Sequence, residues 1–518
     1  MALTLVTNSM ISGAPVNVFD FMTSAEQTAV LAYSYATDVT TACQNALNSA
    51  RANNKNCYFP AGGYLVTGLI IPGDVNPPVD DRDSGMRIYG QGFGEPFVLA
   101  NTGGTVLKSV TNAPVMRDIL GTDPSSNGTI EIDHIRFDGT STTPVILLQS
   151  FYGLSSLHNC AVYQRGTGDG VKVTYSAAIW IYMVWALNKD WNSYSLGAAR
   201  TGIGFNLPLT YDSGLTTISK CSSRGWLTAY QIGGGAGTPY SNTVEQSECS
   251  VVYNGVILSG TNKAVVDSMY MEGIDGGVGI DNSGSYSTIT NNLIFSGASI
   301  GIKSELIFNR GTVINGNTIG LGNIVGAYGI KLAGAYGQQV TGNIISRTDG
   351  TANQIGVYVN VIGKVDVHAN FFDPKETWTG SGSKKVEYAS TSLVRGIITG
   401  ESDNIDFPIL SQGAVSLARV SLTDANVSAG VLTIPDGGYF VLTAAAPVTV
   451  NQLNAGIIPN RLITIRVTAG SSAVTFADTA TLFLNGAFTT GVNGATITFV
   501  VERTGGLSYS YEVARTPL

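Results

Sequence analysis

The stretches "VINGNTI" (Val313–Ile319) and "QVTGNII" (Gln339–Ile345) are nearly alike, because each places Gly-Asn between β-branched residues. Their asparagines, Asn317 and Asn343, lie 26 residues apart. Around them the chain consists of short β-branched runs broken by Gly or Asn, and no run has the spacing of a helix. A weak repeat of about 20 to 30 residues is typical of a solenoid built from stacked coils.

The same spacing continues in both directions along the chain. Intervals of 25, 26 and 27 residues separate four asparagines, and two serines extend the series upstream: Asn292, Asn317, Asn343 and Asn370, then Ser268 and Ser247. A glycine follows each turn: Gly255, Gly279, Gly301, Gly329 and Gly356. An asparagine between two strands readily takes the left-handed conformation, and asparagines stacked about 4.8 Å apart can hydrogen-bond through their amides. The sequence therefore predicts an all-β fold, a right-handed parallel β-helix formed by a single chain, with about ten coils over residues 130–374.

Both ends of the predicted β-helix have recognisable sequences. "TDVTTACQNALNSAR" (Thr37–Arg51) has apolar residues at helical spacing and predicts a short capping helix that begins near Asp38 or Thr40. From about Val415 the sequence consists of segments with the alternating pattern of β-strands. This pattern predicts a separate β-sandwich. We expect five segments: an N-terminal arm (1–15), a first strand with the capping helix and first coils (16–129), the β-helix body (130–374), a connection (375–414), and a C-terminal β-sandwich for trimerisation or carbohydrate binding (415–518).

Charged residues are scarce and their balance is acidic. They make up 12% of the 518 residues, and 28 Lys and Arg against 36 Asp and Glu give a net charge of −8. This charge would repel a nucleic acid, and no basic run offsets it. No apolar run is long enough to span a membrane, and the N-terminus lacks the pattern of a secretion signal. We therefore expect no nucleic-acid or membrane partner.

Three features that resemble functional motifs are interpreted as structural. "GQGFG" (Gly90–Gly94) mimics a phosphate-binding loop, but Pro96 follows and no helix begins there. Five scattered cysteines lack CxxC spacing and are expected to be buried thiols. The three histidines, His134, His158 and His368, share no metal-ligand spacing, so the sequence predicts no metal site and no cofactor.

Four segments near the N-terminus resemble one family. They are "APVNVFDF" (Ala14–Phe21), "TDVTTACQNAL" (Thr37–Leu47), "CYFPAGGYLV" (Cys57–Val66) and "MRIYGQGFGEP" (Met86–Pro96). In this order they resemble the N-terminal signature of pectate-lyase-like bacteriophage tailspikes, a family of capsular polysaccharide depolymerases. "YSYEVARTP" (Tyr509–Pro517) resembles the end of the β-sandwich found on such spikes.

The resemblance implies a homotrimer that binds and cuts a bacterial capsular or O-antigen polysaccharide. It also implies a virion protein of the phage tail, made in the host cytoplasm and acting at the bacterial surface. Only about 14 residues precede the first motif, where family members carry a longer head-binding region. Contact with phage tail proteins is therefore expected through another spike.

Carboxylates crowd the stretch between Thr243 and Asp281, and six lie there: Glu245, Glu248, Asp267, Glu272, Asp275 and Asp281. A glycosidase needs a carboxylic acid to protonate the leaving oxygen and a carboxylate to activate water or attack the sugar. Residues one coil apart are neighbours in a β-helix. A spacing of 27 residues therefore lets Glu245 and Glu248 face Glu272 and Asp275. We predict Glu272 or Asp275 as the acid or nucleophile, with a partner among Glu245, Glu248 and Asp267. The alternative is that these are solvated residues on outward turns.

Aromatic residues cluster just before the carboxylates, and sugar rings stack on exposed aromatic faces. Four of the five tryptophans lie there with four tyrosines among them: Trp180, Trp185, Trp191 and Trp226, and Tyr182, Tyr194, Tyr211 and Tyr230. The predicted substrate-binding residues are Trp180, Trp185, Trp191, Trp226, Tyr230 and Arg224. The alternative is a loop packed over the solenoid.

Endo-glycoside hydrolysis by a tailspike is the principal hypothesis, and two others remain open. A polysaccharide lyase would abstract a proton beside a uronate carboxylate and would need a cation, for which Arg224, Lys303 and Arg347 are candidates. A spike that binds its receptor without cutting it is the third.

Overall fold

A computed structural model describes most of the chain. It describes residues 13–73, 85–94, 103–118, 129–149, 154–174, 178–193, 195–208, 214–234, 239–295, 297–305, 311–333, 338–347, 353–360, 365–372, 383–388, 419–434, 439–454, 461–468, 472–489, 495–504 and 507–516. The chain divides into two compact units, Met1–Gly396 and Ile397–Leu518. Most of the predicted N-terminal arm and of the predicted connection (375–414) lies outside the described residues.

The first unit is a parallel β-solenoid with up to three strands in each coil, which confirms the predicted fold class. We call the three stacks of strands sheets 1, 2 and 3. Sheet 1 contains Val16–Asn17, Cys57–Phe59, Met86–Gly90, Ile130–Asp133, Thr217–Ser219, Thr243–Glu245, Val265–Asp267, Thr288–Thr290, Val313–Asn315, Gln338–Thr341 and Val365–His368. Sheet 2 contains Gly62–Leu65, Thr105–Lys108, Arg136–Gly139, Ser222–Arg224, Glu248–Val252, Tyr270–Ile274, Leu293–Phe295, Thr318–Gly320, Ile344–Ser346 and Phe371–Phe372. Two longer strands run through both sheets, Ser156–Gln164 and Trp180–Asn188.

Sheet 3 has 12 strands in the described part of the chain and lies on the other side of the core. Its strands are Leu69–Ile71, Met116–Asp118, Ile146–Gln149, Val171–Thr174, Ile203–Leu207, Thr228–Gly233, Asn254–Ser259, Val278–Asn282, Ile300–Glu305, Tyr328–Ala333, Ile355–Asn360 and Lys384–Tyr388. The last of these pairs with Ile355–Asn360, so the solenoid continues past residue 374, where the sequence predicted its end.

The asparagine ladder predicted from the repeat is present between sheets 1 and 2. The side-chain amide nitrogens of Asn292, Asn317 and Asn343 donate to the amide oxygen of the next ladder asparagine at 2.8, 2.9 and 2.8 Å. Ser268 was wrongly included in this series, because Met269 occupies the ladder position in its coil and its backbone N–H donates to Asn292.

The left-handed residue of this turn is the one before the ladder asparagine, where the sequence analysis placed it on the asparagine itself. Ten coils have a positive φ there: His134, Asn159, Met183, Lys220, Gln246, Ser268, Asn291, Gly316, Gly342 and Ala369. This position lies on the outer face, so the solenoid presents a column of varied side chains along the border of sheets 1 and 2.

The repeated glycines of sheet 3 are required by close packing between coils. A Cβ built on Gly279 would lie 2.5 Å from the carbonyl oxygen of Gly301, and one on Gly301 would lie 2.6 Å from that of Gly329. Each glycine therefore permits the carbonyl of the next coil to approach the backbone.

We expect Gly301→Ala to destabilise the solenoid by about 1–3 kcal/mol, because its Cβ would also lie 2.6 Å from Ile319 Cγ2 in the closed core. Gly320→Ala is the matched control, since the nearest atom to its Cβ is Phe295 Cδ1 at 3.6 Å, an ordinary contact. Denaturant midpoints of the two variants check this expectation. Equal midpoints would show that the glycine stack is not needed.

Two helices cover the N-terminal end of the solenoid: α1 (Ser24–Leu31) and α2 (Thr40–Ala52). The predicted capping helix is α2, whose apolar face is buried: Ala42, Cys43, Ala46, Leu47 and Ala50. Sequence analysis missed α1, whose only buried residue is Val30. The signal was present as the capping box formed by Thr23 and Glu26.

All five cysteines are free and buried, as the sequence predicted. Among the described residues, no helix is long and apolar enough to cross a membrane.

The described residues of the second unit form three sheets of six, three and three strands around one core that includes Phe440, Phe476 and Phe499. This is the region predicted as a β-sandwich. Its strands are Arg419–Thr423, Val427–Ser428, Val431–Thr433, Tyr439–Thr443, Val448–Val450, Gln452–Asn454, Arg461–Val467, Val474–Phe476, Leu482–Phe483, Phe488–Thr489, Thr496–Thr504 and Leu507–Thr516.

Candidate functional site

A groove of about 550 Å³ lies on the outer face of the solenoid, at the border of sheets 1 and 2. Nine residues from four neighbouring coils line it: Trp185, Lys220, Cys221, Ser222, Gln246, Ser247, Glu248, Ser268 and Tyr270. Three of them belong to the column of left-handed turn residues.

Strand alternation explains why these side chains face outwards. In sheet 2, Cys249 and Met271 are buried, so their neighbours Glu248 and Tyr270 point to the outer face. Glu248 is in register with Ser222 on one side and with Tyr270 on the other. The three side chains therefore form a row across three adjacent coils.

Glu248 is the carboxylate inside the groove, and its side chain is 38% exposed. Its Oε1 accepts hydrogen bonds from Ser222 Oγ at 2.6 Å and from Arg224 Nη2 at 3.1 Å. Arg224 comes from the preceding coil of the same sheet. These two donors orient the carboxylate, and among the described residues no hydrogen bond to its Oε2 is seen.

A second carboxylate, Glu272, is exposed in the next coil and contacts Tyr270. The Tyr270 hydroxyl donates to Glu272 Oε2 at 3.2 Å, and this hydrogen bond is the main cause of the raised pKa of Tyr270. Glu248 also contributes to that rise through its charge, so the phenol lies near both carboxylates.

Glu248 and Glu272 together have the geometry of a catalytic pair. Glu272 is in register with Ser250, two residues beyond Glu248 in the neighbouring strand. Strand spacing and rise per residue put their Cα atoms about 8 Å apart. Side chains leaving the same face at this distance can reach the carboxyl separations used by inverting or retaining glycosidases. The sequence analysis named both residues.

Aromatic side chains lie at both ends of the row formed by Ser222, Glu248 and Tyr270. The Trp185 ring lies 5.3 Å from the Phe93 ring at one end, and at the other the rings of Tyr270 and Phe295 lie 6.1 Å apart. Four coil steps separate Trp185 from Phe295, which is about 19 Å along the axis. Sequence analysis predicted Trp185 but missed Tyr270 and Phe295. Both residues could have been found from strand alternation. Tyr270 precedes buried Met271 one coil after Glu248, and Phe295 follows buried Ile294 two coils after it.

Two predicted substrate-binding residues are core residues, and that prediction is corrected. Trp226 has no exposed surface and donates from Nε1 to the Ala186 carbonyl at 3.0 Å. Its ring occupies space left by three glycines, each of which would carry a Cβ 3.2 Å from it: Gly170, Gly202 and Gly204. Tyr230 is equally buried, stacks on Phe205 at 5.2 Å, and donates to the Glu248 carbonyl at 2.7 Å.

Asp275 is held as a structural anchor, which does not fit its predicted role as acid or nucleophile. Its Oδ2 accepts from the backbone N–H of Gly197 at 2.6 Å and from Arg200 Nη2 at 3.3 Å. The Arg200 side chain is fully buried and also donates to the carbonyls of Asp190 and Ser193. Asp275 therefore fixes the loop that follows strand Trp180–Asn188 through these hydrogen bonds.

The remaining predicted residues lie beside the groove or away from it. Glu245 and Asp267 are neighbours in sheet 1, and Asp267 Oδ1 accepts from Asn291 at 3.1 Å. Trp180 is 60% exposed on sheet 1, three coils before Asp267. Trp191 lies in the anchored loop, where its backbone packs on Gly225. The predicted Tyr194 and Tyr211 lie outside the described residues.

The cation candidates for a lyase lie in three different environments. Arg224 is paired with Glu248 in the groove. Lys303 lies on sheet 3, paired with Asp281 and Glu305, and Arg347 is only 5% exposed. A cation that sequence analysis missed, Lys220, lines the groove and donates to Tyr182 Oη at 3.2 Å.

One group of described residues brings potential metal-ligand atoms within 4.8 Å of one another: Glu131, Asp133 and His158. Both Asp133 oxygens already accept hydrogen bonds from Arg87, at 3.0 and 2.6 Å. His134 Nδ1 also contacts one of them at 2.6 Å. A metal ion would have to displace these donors, so the group does not fit a metal.

Two family models match separate parts of the chain. Residues 34–185 match "Rhamnogalacturonase A/epimerase, pectate lyase-like", and residues 230–402 match "Periplasmic copper-binding protein (NosD)". The first segment contains Trp185, and the second contains Glu248 and Glu272. The N-terminal coils are therefore pectate-lyase-like. No curated protein matches the chain.

Several solved structures are similar to the chain at low identity. The DFA-IIIase from Arthrobacter chlorophenolicus A6 without its lid is 11% identical, with 70% of this chain and 98% of that one covered and a TM-score of 0.44. The Dettilon tailspike protein is 12% identical, with 69% and 66% covered and a TM-score of 0.45. The A-module of the mannuronan C-5 epimerase AlgE6 from Azotobacter vinelandii is 17% identical, with 74% and 93% covered and a TM-score of 0.36.

Proposed function

We propose that this protein is a phage tailspike depolymerase that hydrolyses glycosidic bonds within a bacterial capsular or O-antigen polysaccharide. The observation that carries the proposal is the pair Glu248 and Glu272, on adjacent coils of one outer face, with aromatic side chains at both ends of the row. The pectate-lyase-like match of the N-terminal coils and the tailspike-like motifs support it.

The two carboxyl groups have different surroundings, which suggests different roles. Glu248 accepts from Arg224 and Ser222, which fix the orientation of its carboxylate, so it acts as the base that activates water or as the nucleophile. Glu272 is exposed and, among the described residues, its hydrogen bond is with the Tyr270 phenol, so it is the group that delivers the proton to the glycosidic oxygen. Trp185, Tyr270 and Phe295 hold the flanking sugar rings by stacking.

The test is a panel of bacterial lawns with different capsules and O-antigens, spotted with purified protein. A clear halo on one strain, with new reducing ends released from its purified polysaccharide, is expected. No halo and no reducing ends on any strain would favour a spike that only binds.

A lyase is the second candidate, because Arg224 is paired with Glu248 and Lys220 lines the same groove. Either cation can neutralise a uronate carboxylate while a base removes the neighbouring proton. The products decide between the two reactions. A lyase yields an unsaturated sugar that absorbs in the near ultraviolet, whereas hydrolysis yields none.

We further propose that the protein acts as a homotrimer on the virion. The composition supports assembly, because charged residues are only 12% of the chain and leave much uncharged surface for contacts between copies. Light scattering should give three times the chain mass of 54.1 kDa. A chain truncated at about Val415 should lose resistance of the trimer to heat or SDS, and a full-length monomer at micromolar concentration would refute the trimer.

A further inference from the structure

A second group of titratable side chains lies on the same outer face, four coils before Glu248. It contains Arg87, Glu131, Asp133, His134 and His158, and so gathers two of the three histidines of the chain. None of these residues lines the groove. In a chain this poor in charge, such a concentration needs an explanation.

Asp133 is the buried centre of this group. Its side chain has no exposed surface, and Arg87 donates to both oxygens, from Nε at 3.0 Å and Nη2 at 2.6 Å. Burial acts to raise the pKa of Asp133, but hydrogen bonds from Arg87 and His134 outweigh it and hold the pKa below its ordinary value. The carboxylate is therefore charged and fixed in orientation.

His134 is held by Asp133 with one ring nitrogen facing outwards. Its Nδ1 donates to Asp133 Oδ2 at 2.6 Å, its side chain is 45% exposed, and its φ of 58° places it in the column of left-handed turn residues. Among the described residues, no hydrogen bond to its Nε2 is seen. A buried carboxylate at Nδ1 fixes the ring so that Nε2 faces outwards, the arrangement found in hydrolytic triads.

The other two histidines lack this arrangement. His158 Nε2 lies 2.8 Å from Glu131 Oε1 and its Nδ1 lies 3.0 Å from Asn159 Nδ2, so both ring nitrogens are engaged. His368 Nδ1 lies 2.8 Å from Asp366, but its Nε2 lies 3.2 Å from Thr341 Oγ1. Only His134 combines a buried carboxylate with an outward, unbonded nitrogen among the described residues.

The surroundings select a class of reaction. Glycoside hydrolysis would need a second carboxyl group for the leaving oxygen, but Glu131 is engaged by His158 and lies 3.5 Å from Arg87 Nε. Elimination from a uronate would bring a further anion to a group with two carboxylates and one guanidinium. Ester hydrolysis needs a single group that first accepts and then returns a proton, which one imidazole supplies.

We propose that His134, oriented by Asp133, is the general base of a second catalytic centre that hydrolyses an acyl ester on a sugar. Nε2 takes a proton from water, and the water oxygen bonds to the ester carbonyl carbon, whose oxygen becomes negative beside Arg87. The carbonyl re-forms, the bond to the sugar oxygen breaks, and that oxygen takes the proton from Nε2. The products are a carboxylic acid and a sugar hydroxyl. Trp180 is aligned with Glu131 in sheet 1, two coils further along the solenoid, and is 60% exposed. Its ring offers a face on which the sugar ring can stack.

The test uses full-length protein and glucose pentaacetate, which has no bond between sugars, so its result is independent of the proposed depolymerase activity. Acetate release is expected, and His134→Gln should lower kcat by about 10²-fold or more. Glutamine already occupies the same turn position at Gln246, where φ is 46°, so the variant should keep the fold. His368→Gln is the matched control and should release acetate as the parent does.

A second measurement needs no substrate. Diethyl pyrocarbonate labels unprotonated imidazole, and mass spectrometry of the three histidines should find His134 labelled fastest. Equal acetate release by His134→Gln and the parent overturns the proposal, as does faster labelling of His158 or His368. A parent protein that releases no acetate also overturns it and leaves the depolymerase untouched.

Discussion

Glu272→Gln should lower the rate of polysaccharide cleavage by about 10²–10⁴-fold, because the amide cannot donate the proton that the leaving oxygen requires. Glu248→Gln should have an effect at least as large, since the amide removes the negative charge that activates water or attacks the sugar. Both side chains lie on the outer face and are at least one-third exposed, so folding should change by no more than about 0.5 kcal/mol. Binding of the polysaccharide should survive through Trp185, Tyr270 and Phe295.

Reducing-end release from the cleared polysaccharide measures both rates, and a pull-down with the same polymer measures binding. Asp366→Asn is a matched control, because this carboxylate is 43% exposed on the outer face of sheet 1 and far from the groove. It should cleave at the parental rate. If Glu248→Gln and Glu272→Gln cleave as fast as the parent, the two residues are solvated turn residues and the site lies elsewhere.

Asn317→Ala should destabilise the first unit by about 3 kcal/mol or more, because several buried polar groups lose their partners at once. Asn317 Oδ1 accepts from the backbone N–H of Asn292 at 3.0 Å and from its side-chain amide at 2.8 Å. Its Nδ2 donates to Asn343 at 2.9 Å and to the Ile289 carbonyl at 3.0 Å. Asn317 has no exposed surface, so water cannot replace these bonds.

Asn315→Ala is the matched control, because this exposed asparagine lies two residues earlier on the outer face of the same coil. Its effect should stay within about 0.5 kcal/mol. Denaturant unfolding of both variants compares the free energies. A similar small loss in both would mean that the ladder follows from the fold and does not stabilise it.

Sequence alone predicted the solenoid because its repeat has physical causes that act in every coil. The ladder asparagines satisfy the turn, and glycines such as Gly279 and Gly301 permit the next carbonyl to approach. The series failed at Ser268 because Met269 interrupts the ladder, and a one-residue offset changes which side chain points inwards.

Contacts between residues far apart in the sequence explain the errors at the site. Trp226 follows the left-handed Gly225, and its ring packs against Gly170, Gly202 and Gly204 in the core, which the spacing of aromatic residues does not reveal. Asp275 meets Gly197 and Arg200, which are 78 and 75 residues distant, so its anchoring role depends on a loop conformation. Glu248 and Glu272 were both named, but the 27-residue offset aligned Glu248 with Asp275, whereas the strands pair with an offset of 22 residues and place Glu248 opposite Tyr270.

A crystal structure of Glu272→Gln with an oligosaccharide from the cleared polysaccharide tests the central claim most directly. We predict sugar rings along the groove from Trp185 to Phe295, with one glycosidic oxygen within hydrogen-bond distance of the residue 272 side chain and Glu248 on the opposite side of the same sugar. An oligosaccharide bound only elsewhere, such as on sheet 3 or in the C-terminal unit, with the groove empty, would contradict it.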